Sequence, residues 1–102
     1  MNNNERILKV KRSYERECVI CGLPAELHHW KSRKAYPQLI AESFNLMPLC
    51  RTHHSECHQI GSYSFSVKYL EVRKFLEHHG WELSGEKWLH QEIPKILNVQ
   101  WE

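Results

Sequence analysis

The run Asn45-Leu46-Met47-Pro48-Leu49-Cys50-Arg51-Thr52-His53-His54-Ser55-Glu56-Cys57-His58-Gln59-Ile60-Gly61 decides how the chain is read. Arg51 to Ile60 predicts a helix, and Gly61 stands just past its end, where glycine commonly closes a helix. On that helix His54 and His58 are four residues apart, one turn, so both imidazoles share a face and can address one ion. At about 100° per residue, their mean direction lies about 90° from the face carrying Cys50, His53 and Cys57. One helix is therefore expected to serve two metal sites, a closed one behind and an open one in front. Ahead of it, Phe44 to Leu49 predicts a short strand that reaches Cys50, with Pro48 suggesting an edge position.

Upstream, Cys18-Val19-Ile20-Cys21-Gly22 predicts a tight turn with a zinc-knuckle spacing. Cys18 and Cys21, joined by Cys50-x-x-His53, make a Cys₃His set of the kind that closed structural zinc sites use. Cys57 shares the helix with His53 and competes with Cys50 for this role. The two cysteines lie about 10 Å apart along the axis, too far to serve one zinc together. Cys50 is preferred, and Cys57 is read as a small buried residue. Ala25 to Trp30 predicts another short strand, whose alternation sends the side chains of His28 and His29 to opposite sides. If one joins His54 and His58 on a metal, the other is left to act on a neighbouring water or proton. Three imidazoles with open positions suit catalysis better than structure.

The composition agrees. With 102 residues and 12.3 kDa the chain is one domain with a marginal core, a size that commonly needs a metal or a partner chain as a staple. Its 8 His and 4 Cys, in a chain with no secretory or transmembrane run, point to metal binding in a reducing cytoplasm. No Asp occurs, which excludes Asp-rich two-metal nucleases and EF-hands. The net charge of +2 is uneven: residues 1–34 carry +4 and residues 35–102 carry −2, and a basic first third suits phosphate contact.

Outward from the centre, residues 1–17 read as a basic N-terminal arm or helix, and Lys31 to Ser43 as a loop or short helix broken at Pro37. Phe65, Tyr69, Val72 and Leu76 form the apolar stripe of a second helix, ended by Gly80. After it, Trp81, Trp88 and Trp101, a turn at Ser84-Gly85 and a short helix near Pro94 make a C-terminal extension over residues 81–102, packed on the domain or used for assembly. Residues 18–80 are expected to form the domain that carries both candidate metal sites. His78, His79 and His90 receive no role.

The order Cys18-x-x-Cys21, Leu27-His28-His29, Asn45-Leu46-Met47-Pro48-Leu49-Cys50-x-x-His53-His54 resembles an HNH endonuclease, the three letters being His29, Asn45 and His54. The continuation through Gly61 is similar to small HNH proteins of bacteriophage and prophage genomes. The resemblance covers residues 18–61 and, more loosely, 62–80. It implies an α+β domain of the ββα-metal (His-Me finger) type, with a structural zinc knuckle and an additional C-terminal helix. It also implies a metal-dependent endonuclease that hydrolyses phosphodiesters in DNA. His29 would be the general base and Asn45 the brace of the loop that orients it. His28, His54 and His58 would hold a catalytic divalent ion (Mg²⁺, Mn²⁺, Ni²⁺ or Zn²⁺), and Cys18, Cys21, Cys50 and His53 a structural Zn²⁺. A lone domain should nick, so double-strand cutting implies a homodimer or a phage packaging or recombination partner.

The chain departs from the family in three places. His53 stands where many members have Cys, and His28 where many have an acid, which favours softer metals over magnesium. Trp30-Lys31-Ser32-Arg33-Lys34 replaces the usual Ile-x-Pro. There Lys31, Arg33 and Lys34, together with Arg51, are candidates for contacting DNA phosphates.

Two other readings compete. His54-Ser55-Glu56-Cys57-His58 superficially resembles the zinc-peptidase motif HExxH, but its Glu is displaced by one residue, about 100° around the helix. A non-catalytic zinc module that binds DNA or protein would need the cysteines and the basic arm. It would have no use for His28, His29, Asn45 or His58.

Overall fold

A computed structural model of the chain describes residues 17–98. Trp101 and the basic arm up to residue 16 lie outside the described residues. Strand β1 (Glu26–His29) pairs antiparallel with β2 (Leu46–Leu49), Glu26 opposite Leu49 and His29 opposite Leu46. All four residues of β2 are buried. Pro48 has no N–H to offer, which a strand with a single ladder partner tolerates. Its carbonyl accepts from Val19 N at 3.1 Å, which lays the 18–22 turn along the free edge of β2. The strand is shorter than the sequence suggests, because Ser43–Asn45 closes into a 3₁₀ turn first. The Phe44 carbonyl is thereby turned away from the ladder and accepts from Trp81 Nε1 at 2.7 Å. Pro37 opens a 3₁₀ turn (Pro37–Leu39) in the long β1–β2 connection, and buried Leu39 anchors that turn in the core.

Helix α1 (Arg51–Ile60) follows β2 directly and ends at Gly61, at φ 87°. The apolar stripe from Phe65 to Leu76 then divides into two helices, α2 (Ser62–Lys68) and α3 (Leu70–His78). The single helix expected there is broken at Tyr69, which sits at φ −117°, ψ 110°. The cause is a side-chain anchor: Tyr69 Oη donates to Glu56 Oε1 at 2.5 Å, and Lys68 pairs with the same carboxylate, tying the junction to α1. Phe65, Val72 and Leu76 stay fully buried on both sides of the break.

The C-terminal hairpin of β3 (Trp81–Ser84) and β4 (Lys87–His90), followed by α4 (Glu92–Leu97), shares this core. Trp81, Trp88 and Ile93 are buried in one cluster with Leu39, Met47, Leu49 and Phe65. Both indoles are satisfied as well as buried, Trp88 Nε1 donating to Ser66 Oγ at 2.8 Å. Among the described residues, no helix is long and apolar enough to cross a membrane.

His90 belongs to this core. It stacks on Phe44, with ring centroids 4.0 Å apart, and Nε2 donates to the His79 carbonyl at 2.9 Å. Its ring leaves no room beside Gly80, where a Cβ would come within 2.9 Å of His90 Nε2 and φ is +91°. Gly80→Ala is therefore expected to cost about 1–3 kcal/mol, read as a lower urea midpoint. Gly85→Ala should cost less: its φ of +61° is also left-handed, but a Cβ there meets open space.

Candidate metal centres

The first centre is built from the 18–22 turn and the start of α1. Cys50 is the N-cap of α1 and His53 lies in its first turn, so both face the turn that carries Cys18 and Cys21. The four ligand atoms lie within 4.8 Å of one another. Cys21 Sγ to Cys50 Sγ is 3.7 Å, Cys18 Sγ to His53 Nδ1 is 3.5 Å and Cys50 Sγ to His53 Nδ1 is 3.2 Å. A tetrahedral zinc with its usual bond lengths needs S···S edges of about 3.8 Å and S···N edges of about 3.5 Å. The chain thus holds a Cys₃His set that fits a structural ion such as zinc. Burial would raise the Cys18 thiol, but backbone N–H groups of Cys50, Cys21 and Ile20 aimed at it prevail and bring it down to about 6. Cys21 moves the other way: although the Leu23 backbone favours its thiolate, desolvation and the adjacent Cys18 and Cys50 outweigh it. Sulfurs this close oppose one another's ionisation, and a cation between them removes the opposition.

Cys57 is not in this group. Its Sγ sits 3.6 Å from His28 Nε2, next to the second centre, and burial, with Glu56 adding, pushes its thiol up to about 11. Cys50, not Cys57, completes the four.

The second centre brings β1 and α1 together. His28 points inward from β1 between His54 and His58, and the three offer ligand atoms within 4.8 Å of one another. Their ring centroids are 4.7–5.1 Å apart. His28 is 5% exposed, and burial, reinforced by His54, His58 and His29, lowers it to about 3. It is a neutral donor throughout the physiological range. His54 Nδ1 donates to Glu26 Oε1 at 2.7 Å, and that hydrogen bond is the main force holding the Glu26 carboxyl below its ordinary value. Glu26 thereby turns the other nitrogen of His54 toward the cluster. Glu26→Ala should weaken Co²⁺ binding at this centre about 10–100-fold, the usual cost of losing a carboxylate behind a ligating histidine, as titration of zinc-loaded protein would show. The sequence reading missed Glu26. The available signal was strand alternation, which puts residues 26 and 28 on one face.

These imidazoles open onto a cleft of about 630 Å³ whose walls include His29, Trp30, Ser32 and Arg33. His29 Nε2 lies 2.9 Å from the carbonyl oxygen of Ile40. A carbonyl can only accept, so Nε2 carries the proton and the lone pair is on Nδ1. Asn45, fully buried, grips the same loop: Oδ1 accepts from Lys31 N at 2.7 Å, and Nδ2 donates to the carbonyls of Lys31 and Leu39 at 3.1 and 3.3 Å. Asn45 thus reaches His29 through Leu39 and its neighbour Ile40, without touching the ring.

The basic candidates separate. Arg33 lines the cleft, while Lys34 and Arg51 are exposed. Lys31 instead places its Nζ 5.9 Å from the Trp81 ring centroid, and burial, with Lys87 nearby, lowers it. Compared with family models, curated proteins and solved structures, the chain finds no match.

Proposed function

We propose that the chain is a metal-dependent DNA endonuclease of the HNH type, on a ββα-metal core formed by β1, β2 and α1. One observation carries the reading: His29, with one nitrogen committed to a carbonyl and the other carrying a lone pair, shares a cleft with three clustered imidazoles. A structural role would require neither that orientation nor that opening. His28, His54 and His58 would hold a divalent ion, and three neutral nitrogens suit Mn²⁺, Ni²⁺ or Zn²⁺ better than Mg²⁺. When bound, the ion supplies positive charge that polarises a phosphodiester and stabilises its leaving oxygen.

The chain's own residues do the rest. His29 Nδ1 takes the proton of the attacking water, general-base work to which the lone pair of an imidazole is suited. The Ile40 carbonyl keeps the ring from turning its N–H toward that water. Arg33, in the cleft wall, contacts the phosphate, and Lys34 and Arg51 extend the contact along the backbone. Trp30 and Leu27 give the cleft an apolar side. The choice of DNA rests on the resemblance of residues 18–61 to HNH endonucleases. With one three-histidine cluster among the described residues the expected product is a nick, and double-strand cutting calls for a second copy or a partner.

The test is cleavage of supercoiled plasmid by zinc-loaded protein with Mg²⁺, Mn²⁺, Ni²⁺ or Zn²⁺ added in turn. Metal-dependent open circles, abolished by chelation, are expected. Binding of DNA without cleavage under every metal would overturn the nuclease reading in favour of a non-catalytic zinc module.

A further inference from the structure

The sulfurs of the first centre differ in access. Cys18 and Cys50 are buried and Cys21 is exposed, on a turn at the surface. Its sulfur faces that of Cys50 at 3.7 Å, and a disulfide requires about 2.05 Å, so a shift of the turn by less than 2 Å joins them. Cys50 is also the N-cap of α1, and α1 supplies His53 to one centre and His54 and His58 to the other. Whatever moves Cys50 therefore moves the start of the helix that shapes the cleft.

We propose that the Cys18–Cys21–Cys50–His53 centre is a redox switch, in which a hydroperoxide joins Cys21 to Cys50, releases the ion and disables the three-histidine centre through α1. The chemistry balances in two steps. The Cys21 thiolate takes one oxygen from the hydroperoxide and the displaced alkoxide takes a proton from solvent, giving a sulfenic acid and an alcohol, or water from hydrogen peroxide. The Cys50 thiolate then attacks that sulfur, forming the disulfide and expelling hydroxide, which takes a second proton from solvent and leaves as water. The hydroperoxide is reduced by two electrons and the two thiolates are oxidised by two. Two of the four ligands are then lost to the ion, and Cys18 and His53 alone do not retain it. Thiol reductant and fresh zinc reverse the change. Cys57, buried farther along α1 and beside His28, is not consumed.

The effect on the cleft rests on the reading of His28, His54 and His58 as an ion site, whereas disulfide formation and zinc release do not. The experiment reads them separately, and none of its readouts is nuclease activity. Zinc-loaded protein is exposed to hydrogen peroxide, released zinc is followed with a chromophoric chelator, and peptides are mapped by mass. Expected are one zinc lost per disulfide, a Cys21–Cys50 crosslink and full recovery with reductant and zinc. Co²⁺ affinity at the three-histidine centre should fall about 5–150-fold on oxidation, the range typical of coupled sites. Cys21→His, which keeps a ligand but cannot form the crosslink, should retain zinc under the same dose. Should that variant fail to bind zinc, the crosslink map of the native chain decides alone. Zinc retained by oxidised protein, a crosslink through Cys18, or zinc loss with only sulfinic acid formed would each overturn the switch. An unchanged Co²⁺ affinity after crosslinking would overturn its link to the cleft.

Discussion

His29→Ala is expected to lower metal-dependent nicking by about 10²–10⁴-fold, the usual contribution of a positioned general base. One ring nitrogen is bonded to a loop carbonyl, and the ring lies in the cleft wall and not in the metal cluster. Removing it should therefore leave the ion sites loaded and the domain folded. The decisive comparison is the nicking rate against Co²⁺ affinity and melting temperature in the same preparation. A folded, fully loaded variant that nicks at the native rate would show that another group takes the proton, or that the activity is foreign to the chain. Loss of Co²⁺ binding in step with activity would instead make His29 part of the ion site.

Removal of the ion from the Cys₃His centre should have the largest effect on stability. Structural zinc contributes about 10–16 kcal/mol in small zinc-bound folds, while a whole domain is stable by only about 5–15 kcal/mol. Here the four ligands pin the 18–22 turn to the N-terminus of α1. The turn's own backbone anchors are few: Cys18 N to Leu23 O at 2.8 Å, Gly22 N to Cys18 O at 2.9 Å and the bond from Val19 to β2. A strong chelator under reducing conditions should abolish the cooperative thermal transition and the near-ultraviolet dichroism of the buried tryptophans. Cys18→Ser should do the same at ordinary zinc concentrations. A metal-free protein that melts cooperatively at the native temperature would show that the core of Trp81, Trp88 and Phe65 suffices by itself.

Much of this architecture was legible in the sequence because it rests on local rules. Gly61 marks the end of α1, alternation across residues 26–29 separates His28 from His29, and Ser84-Gly85 marks the hairpin turn. The ligand groupings followed from the same periodicities, since a helix places residues 50 and 53 on one face and 54 and 58 on another. What was missed depends on partners remote in sequence. The break at Tyr69 is set by Glu56 on the preceding helix, and an apolar stripe reads the same whether or not it is interrupted. β2 starts late because Ser43–Asn45 closes into a 3₁₀ turn, whose Phe44 carbonyl meets Trp81, 37 residues away. Lys31, one of four basic candidates, lies against the hairpin for the same reason.

Asn45 behaves as a detached peptide group, presenting one C=O and one NH₂ to a length of chain that has no strand beside it among the described residues. Its side chain staples the connection between β1 and β2 at Lys31 and at Leu39. The exposed residues between them, Ser32 to Ala35, are thus a place where the chain can lengthen without displacing the base. Doubling such a loop costs only about 0.6 kcal/mol in closure entropy. A scaffold of this kind can exchange the part that meets its substrate while its chemistry stays in register.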